Sequence, residues 1–553
     1  MSADGKDAEL RSELARAAGT LGAPADIVPT VERPRDPSHG DWATNLAMVL
    51  ARPLRRKPSD VARDLVEAMD LASIGIESAS VAGPGFINFR IASGSLARDL
   101  TRILAEREAF GRSTIGNGAR VNVEFVSANP TGPLHVGHGR QAALGDAISR
   151  LLEYTGWTVT REFYYNDAGA QIQNLALSVQ ARLRSLGGAP LVIPEGGYFG
   201  EYIVEIAERY RQERPGDSHG DDLGAVRALA VAALRTEQDL DLQAFGVRFD
   251  VYFLESSLYV DGRVEETMRR LVAAGHAYAK DGALWLKTTD FGDDKDRVMR
   301  RSVEKGGEPT YFVPDVAYHV TKFERGFLRA IDVQGADHHS TVTRVRVGLQ
   351  ALEMGIPAGY PEYVLHQMVT VLKAGEEVKI SKRAGTYVTV RDLIDDVGRD
   401  AVRYFFVMRK GDSQLVFDVD LARSQSEDNP VYYIQMAHAR LCGIFRVGDV
   451  DASSVTGDGV RWECLGEPEE REVIKALLDW PRLVQGAAEA LEPHRVATYL
   501  HETARLVHTW YHAHHVLGES EPVTRARLAL ARAARIVLEN GLLLLGLTAP
   551  ERM

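Results

Sequence analysis

Two histidines, His135 and His138, flank a glycine in the tetrapeptide His135-Val136-Gly137-His138. An apolar, β-branched run at 121–126 predicts a strand before it, and apolar residues at helical spacing predict a helix after it. A helix N-terminus presents unpaired amides and a positive dipole end, which suits a phosphate group. The imidazoles could share one face of the first turn, while Gly137 would let a flat base approach the backbone. The pattern favours a nucleotide site, although such residues also occur at helix caps by chance.

A second candidate segment is rich in lysine and arginine. Lys379, Lys382 and Arg383 fall within five residues, between Gly375 and Gly385. Three cations this close cannot pack in an apolar core. The flanking glycines permit a loop that could close over a triphosphate and place Lys382 against the charge that builds as pyrophosphate leaves. Taken alone, the same pattern also fits a solvated surface loop.

The elements around the histidines predict a parallel sheet. The strand at 121–126, the helix that stops near Gly156 and a second strand at 157–165 form a βαβ unit, which implies a right-handed parallel crossover. A further strand at 331–335 leads into a helix after His339. Open parallel sheets bind ligands beyond the carboxyl ends of their strands, and the histidines lie at that end.

The chain of 553 residues divides into three predicted parts. An N-terminal α+β domain spans 1–112, a Rossmann-like α/β domain with a parallel sheet and insertions spans 113–425, and an all-α helical bundle spans 426–553. The 45% hydrophobic and 26% charged content is ordinary for a globular protein of several domains.

Composition and termini exclude several classes of protein. Cys442 and Cys464 lack the CxxC spacing of a thiolate zinc site, so we expect no structural metal. Residues 1–6 lack a signal-peptide pattern, and the longest apolar run, 542–547, is too short to span a bilayer. We therefore expect a cytoplasmic protein without a membrane partner. The net charge of −12 argues against indiscriminate polyanion binding but leaves room for local basic patches.

Together, the histidine tetrapeptide and Lys379-Ile380-Ser381-Lys382-Arg383 resemble, in order, the two signature motifs of class I aminoacyl-tRNA synthetases. The surrounding sequence is similar to the arginyl-tRNA synthetase family in particular. The similar segments are 123–135, 165–171, 310–318, 335–339 and 429–440, the last of which resembles the start of a helical anticodon-binding domain. Two positions in the lysine motif depart from the usual residues: Ile380 replaces Met and Arg383 replaces the final Ser. Ala336 stands where eukaryotic members carry a glutamine, so no amino-acid contact is carried over there.

The resemblance implies an enzyme that activates L-arginine with ATP and Mg²⁺ and then transfers it to tRNA(Arg), with bound tRNA needed for activation. It assigns catalysis to His135, His138, Lys379 and Lys382. It assigns ATP binding to His135, Gly137, His138, Gly335, Asp337, Ser381 and Lys382. It places the N-terminal domain at the tRNA elbow and the helical bundle at the anticodon, and it implies a monomer.

The resemblance also implies an arginine pocket formed by Glu124, Ser127, Asn129, Tyr311 and Asp315. Asp315 would take the guanidinium, Tyr311 would line its stem, and Glu124 and Asn129 would hold the α-amino end. Arginine requires such carboxylates because it is a planar, permanently charged donor. A site built for it rejects apolar analogues, so no editing domain is expected. From the residues alone, Glu124 could equally be a solvated strand-edge carboxylate, and Asp315 a helix cap after Pro314.

The last domain offers candidate tRNA contacts in Arg440, Trp510 and Tyr511, because exposed bases stack on aromatic rings. His508 and His512 lie at i, i+4 and could be read as a metal pair, but helix packing and RNA contact explain a ring-rich helix more simply. The sequence argues against two rivals, the first because a helical last domain is present and cysteine zinc ligands are absent, the second because His135, His138 and Lys382 are intact. One is an adenylate-forming cysteine ligase of the same fold, and the other is an RNA-binding paralogue without catalysis.

Overall fold

The N-terminal part is a small α+β unit. The computed structural model describes residues 3–24, 26–34, 36, 39–378 and 388–553. Three antiparallel strands in the order β1-β3-β2 carry helices on one face, where their apolar residues are buried. The elements are α1 (Ala3–Thr20), β1 (Trp42–Thr44), α2 (Leu46–Ala51), α3 (Pro58–Ala68), β2 (Ile76–Ala82), β3 (Phe86–Ile91), α4 (Ser93–Arg98) and α5 (Leu100–Glu106).

A five-stranded parallel sheet forms the centre of the molecule, in the order β11-β10-β4-β5-β6. The elements of this part are β4 (Arg120–Glu124), α6 (Val136–Tyr154), β5 (Thr158–Tyr165), α7 (Gly169–Leu186), α8 (Glu201–Glu213), α9 (Leu223–Ala244), β6 (Val251–Leu254), α10 (Glu255–Val260), α11 (Arg263–Ala273), β7 (Ala277–Lys280), β8 (Ala283–Leu286), β9 (Arg297–Arg300), α12 (Phe312–Glu324), β10 (Arg329–Gly335), α13 (His339–Ala351), β11 (Glu362–His366), β12 (Val369–Lys373), β13 (Glu376–Glu377), α14 (Val390–Val397), α15 (Arg399–Val407), β14 (Leu415–Asp418) and α16 (Val419–Arg423). Strands β4 and β10 are neighbours in the sheet, so they end side by side. Their residues are buried, because both faces of a parallel sheet are covered.

Two insertions have cores of their own. Helices α7, α8 and α9 pack together around eleven buried residues, Tyr210 and Leu234 among them. The small antiparallel sheet β7-β8-β9 packs with α11 and α12 in another cluster. Both insertions interrupt the parallel sheet between its strands, and so they flank its carboxyl edge.

The C-terminal part is entirely helical in secondary structure, with α17 (Pro430–Val447), α18 (Pro468–Leu478), α19 (Trp480–Ala490), α20 (His494–Ala513) and α21 (Glu521–Leu544). It shares one continuous apolar core with the sheet and with the N-terminal part. The buried Trp480 indole donates to the carbonyl oxygen of Phe110 at 3.1 Å, and the Arg471 guanidinium donates to Asp41 at 2.9 Å. These contacts join the first and last parts of the chain directly.

The predicted α/β fold class, with its parallel sheet and C-terminal helices, is confirmed. The predicted boundaries at 112 and 425 fall in the connections before β4 and after α16 and stay predictions. Among the helices of the described ranges, none combines the length and apolar character that crossing a bilayer requires.

Candidate active site

His135 caps the N-terminus of α6, and its ring is held in a fixed position. The Gly137 amide donates to His135 Nδ1 at 3.1 Å, and the His135 amide donates to His138 Nδ1 at 3.3 Å. The two rings stack with centroids 3.7 Å apart and planes 20° from parallel. This reciprocal capping places both imidazoles together at the positive end of the helix dipole, as expected for a phosphate site.

Gly137 is required by the histidine pair itself. A Cβ at this position would lie 2.9 Å from His135 Cε1, closer than side chains approach. Any larger residue would therefore displace the His135 ring. The further prediction that Gly137 contacts adenine stays a prediction.

The described residues on either side of the lysine-rich segment can be placed. Lys379, Ser381 and Lys382 lie outside the described residues, so their predicted roles stay predictions. On one flank, the Val378 amide donates to the Val371 carbonyl oxygen at 2.9 Å. On the other, Thr389 forms an antiparallel bridge with His135. The chain just after the lysine-rich segment therefore returns to the start of the histidine motif.

The end of β4 presents Glu124 into the site. Val126 and Ser127 adopt left-handed φ values of 69° and 42°, a conformation that costs non-glycine residues about 1 kcal/mol or more. The turn aims Ser127 Oγ back at Glu124 Oε1, to which it donates at 2.8 Å. The Tyr164 amide donates to the same Oγ at 3.2 Å. Glu124 is buried, so the alternative of a solvated carboxylate is excluded.

A fully buried lysine pairs with Glu124. Lys322 Nζ lies 2.5 Å from Glu124 Oε2 and 2.9 Å from Asp332 Oδ1. His319 Nε2 lies 2.7 Å from Asp332 Oδ2, and its Nδ1 lies 2.7 Å from the Asp315 carbonyl oxygen. Burial alone would raise the pKa of Asp332, but Lys322 and His319 hold it at about 2. The result is a chain of paired groups from β4 through α12 to β10.

Within the ranges that the structure describes, neither Asp315 nor Glu255 forms an ion pair with a lysine or arginine side chain. Burial, and the nearby carboxylates of Glu255 and Glu124, raise the pKa of Asp315 to about 7 against the pull of His319. Burial also raises the pKa of Glu255, which accepts a hydrogen bond from the Tyr164 hydroxyl at 2.8 Å. Raised carboxylate pKa values in a cleft indicate a site prepared for a cation.

Two predicted arginine contacts lie at the edges of the site. Asn129 Nδ2 donates to Gln171 Oε1 at 2.7 Å, and Gln238 of α9 donates to the Asn129 carbonyl oxygen at 3.1 Å. Tyr311, just before α12, is 74% exposed. Their substrate contacts stay predictions.

Gly335 ends β10 and Asp337 lies two residues beyond it, and the neighbouring strand β4 ends in Glu124. A Cβ on Gly335 would lie 2.4 Å from Asp337 Oδ1, so a side chain here would displace the Asp337 carboxylate. The Asp337 side chain is 74% exposed. Both residues stand at the carboxyl edge of the sheet with the histidine pair.

Sequence reasoning missed Glu255, His319, Lys322 and Asp332. Several of their contacts join distant parts of the chain, since Lys322 lies 198 positions after Glu124 and Glu255 lies 91 positions after Tyr164. One local signal existed: Glu255 follows an apolar strand directly, in the manner of Glu124. No local sequence pattern indicates that Lys322 is buried, because a lysine in a helix is usually expected on its solvent-exposed face.

Within the described ranges, Glu124, His319 and Asp332 are the one group with ligand atoms close enough to hold a metal, all within 4.8 Å of one another. The Lys322 ammonium already bridges the two carboxylates. The His508 and His512 pair is also engaged, since His508 Nδ1 accepts from Arg440 at 2.8 Å and its Nε2 donates to the Tyr433 carbonyl oxygen at 3.1 Å.

A groove in the helical part contains two of the predicted tRNA contacts. Arg440 and Tyr511 line a cavity of about 930 Å³ together with His512, His515 and Met553. The prediction for Trp510 is wrong. Its ring is fully buried in the core of the bundle, so it presents no face to a nucleotide base.

Three family models match the chain. The "Arginyl tRNA synthetase N terminal domain" matches 8–91, "tRNA synthetases class I (R), catalytic domain" matches 99–187, and "DALR anticodon binding domain" matches 434–553. An arginine–tRNA ligase of Geotalea daltonii is 57% identical over 533 residues, which cover 95% of this chain and 94% of the relative. The chain belongs to the arginine–tRNA ligase family. A second member, from Geobacter metallireducens, is 55% identical over 534 residues, with 95% and 94% coverage.

Solved structures agree on the fold. The arginyl-tRNA synthetase of Thermus thermophilus superposes with a TM-score of 0.74 at 24% identity, covering 99% of this chain and 100% of that one. That of Plasmodium falciparum gives a TM-score of 0.73 at 15% identity, covering 99% of each. The family resemblance stated from the sequence motifs is confirmed.

Proposed function

We propose that this protein is an arginine–tRNA ligase that uses ATP with Mg²⁺. Among the described residues, Asp315 and Glu255 form no ion pair with a lysine or arginine, and this observation carries the choice of amino acid. A guanidinium bound there would donate hydrogen bonds to both carboxylates through its planar set of donors. Family membership supports the same conclusion. An ammonium lacks this planar fork, so we expect lysine to bind the pair less well.

The first step joins arginine to AMP. An arginine carboxylate oxygen attacks the α-phosphorus of ATP, the bond to the β-phosphate oxygen breaks, and pyrophosphate leaves. His135 and His138 stabilise the charge on the α-phosphate oxygens in the transition state, aided by the α6 dipole. Mg²⁺ arrives with ATP and is held largely by phosphate oxygens and water. Lys382, with Lys379, is proposed to stabilise the departing pyrophosphate.

The second step transfers arginine to RNA. The terminal ribose hydroxyl of tRNA(Arg) attacks the carbonyl carbon of the adenylate, and AMP leaves. We propose that the acceptor end approaches from the side of the site where Tyr311 is exposed. We propose that Gly335 and Asp337 contact the adenosine, because they lie at the same sheet edge as the histidines.

The helical part supports recognition of the anticodon loop. The groove lined by Arg440 and Tyr511 offers a cation and an aromatic ring to unstacked bases, and Arg440 lies 5.9 Å from the Tyr511 ring centroid. The N-terminal part would contact the tRNA elbow. We further propose a monomer that works in the cytoplasm, where translation consumes its product, and a dependence of activation on bound tRNA.

Charging assays with each amino acid test the function. We expect labelled arginine to be esterified to tRNA(Arg) and lysine not to be. Asp315→Asn should raise the KM for arginine strongly, because the amide removes one charge from the guanidinium site. Asp281→Asn, on an exposed turn of the same domain, is the matched control. Equal charging with lysine would overturn the substrate assignment.

The anticodon role is tested in the full chain. Truncation after Asp428 would remove helices that share the continuous core, so it would confound folding with recognition. Tyr511→Ala should raise the KM for tRNA without changing arginine binding. An unchanged KM for tRNA in that variant, and in Arg440→Ala, would remove the groove from recognition.

A further inference from the structure

The chain that leads into His135 is held by side chains of the three-helix insertion formed by α7, α8 and α9. This entry segment, residues 129–134, contains Pro130 and Pro133, which have no amide hydrogen to donate. Its backbone can therefore form few hydrogen bonds of its own. Its carbonyl oxygens are bonded by donors from other parts of the fold.

Gln238 of α9 makes the central contact with the entry segment. Its side chain is fully buried, and its Nε2 donates to the carbonyl oxygens of Asn129 at 3.1 Å and Gly132 at 2.8 Å. The Tyr202 hydroxyl of α8 donates to the carbonyl oxygen between them, that of Thr131, at 2.9 Å. The Asn129 side-chain amide in turn donates to a side chain of α7 at 2.7 Å. Each helix of the insertion thus contacts the entry segment.

The same face of α9 also holds the helix that begins after the lysine-rich segment. Asp241, three residues after Gln238, is buried and accepts a hydrogen bond from Arg391 Nε of α14 at 3.0 Å. The amide of Val390, the first residue of α14, donates to the carbonyl oxygen of Leu134 in the entry segment at 2.8 Å. Helix α9 is therefore bonded to both stretches of chain that meet at the start of α6.

We propose that α9 is a brace for the histidine motif and that Gln238 is its central positioning residue. By fixing the entry segment, Gln238 sets the position of His135 against the α-phosphate of ATP. The inference rests on the proposed function and deepens it, because it gives the insertion a part in the activation step.

The backbone around His135 explains why the brace affects chemistry more than binding. The His135 ring accepts from the Gly137 amide, so the ring follows the backbone at the start of α6. That backbone is bonded on one side to Thr389 and continues on the other into the entry segment. A transition-state contact is sensitive to small displacements, and a shift of about 1 Å can cost a hundredfold in rate.

Exchange of labelled pyrophosphate into ATP tests the proposal, with arginine and tRNA(Arg) at saturating concentrations. Gln238→Met keeps most of the volume of the buried side chain and removes both hydrogen bonds. We expect kcat to fall roughly tenfold to a hundredfold, with little change in the KM for arginine. Gln243→Met, the same substitution at an exposed position of α9, is the matched control and should change neither constant.

A double-mutant cycle separates positioning from a general loss of folded protein. If Gln238 acts through His135, Gln238→Met should add little to the loss already caused by His135→Ala. A merely structural role would lower the rate by the same factor in both backgrounds, and that result would overturn the proposal. So would an unchanged kcat in Gln238→Met.

A milder variant covers the case in which Gln238→Met folds poorly. Tyr202→Phe removes one hydroxyl from the same set of contacts and should give a smaller loss of kcat, again absent in the His135→Ala background. An equal loss in both backgrounds would count against the brace here too. If the unmodified protein shows no exchange with arginine, the proposed function itself fails, which is a distinguishable result.

Discussion

Arginine binding should depend on pH through the carboxyl group of Asp315. Burial and neighbouring negative charge raise the pKa of this group to about 7 in the free protein. The guanidinium needs the ionised form, so protonation competes with binding. Affinity should therefore rise as pH increases through 7 and level off above 8. Glu255, whose pKa is also raised by burial, acts in the same direction.

The magnitude follows from the fraction of Asp315 that is ionised. With a pKa of about 7, roughly one-tenth is ionised at pH 6 and roughly nine-tenths at pH 8. The dissociation constant for arginine should therefore be about tenfold weaker at pH 6 than at pH 8, or about 1.4 kcal/mol. Near pH 7 each binding event should release about half a proton from this group.

Calorimetry in buffers of different ionisation enthalpy measures both the affinity and the released protons. Asp315→Asn should flatten the profile between pH 6 and 8, because the titrating group is gone. Binding of ATP alone serves as the internal control and should not follow the same curve. Constant arginine affinity from pH 6 to 8 in the unmodified protein, with no proton release, would refute the reasoning about this site.

Three further predictions follow from packing and charge. Gly137→Ala should lower the rate of activation with little change in melting temperature, because the new Cβ displaces the His135 ring; an unchanged rate would contradict the role of that ring. Trp510→Ala should destabilise the protein by about 3–5 kcal/mol in denaturant unfolding, as large core truncations do, whereas Tyr511→Ala should be nearly neutral; similar losses would contradict their different burial. Burial raises the pKa of Asp315 to about 7, so the stabilisation from its protonated form is full below the unfolded value of about 4 and is lost as pH rises from there through 7. Arginine should therefore raise the melting temperature more at pH 8 than at pH 6.

The strand-to-helix context of the histidine motif was predictable because it is local. Strand β4 and helix α6 have clear periodicities, and they lie within 35 residues of each other. The parallel sheet followed from the βαβ spacing. The pairing of Thr389 with His135 could not be predicted locally, because the two residues are far apart in sequence and meet only in the folded chain.

The contacts of Lys322 could not be predicted from local sequence, whereas the burial of Trp510 could. The Lys322 pairs depend on strands and a helix that meet only in the folded chain. The error at Trp510 was avoidable, because Leu500, Val507 and Trp510 share a helical spacing that predicts one buried face. Adjacent residues on a helix point about 100° apart, so Tyr511 reaches the surface while Trp510 does not.

The most direct test of the central claim is exchange of labelled pyrophosphate into ATP, measured for each amino acid with and without tRNA(Arg). We predict exchange of pyrophosphate into ATP with arginine alone among the amino acids, and only when tRNA is present. Exchange that is equally rapid with lysine or cysteine would contradict the pairing of Asp315 and Glu255 with a guanidinium.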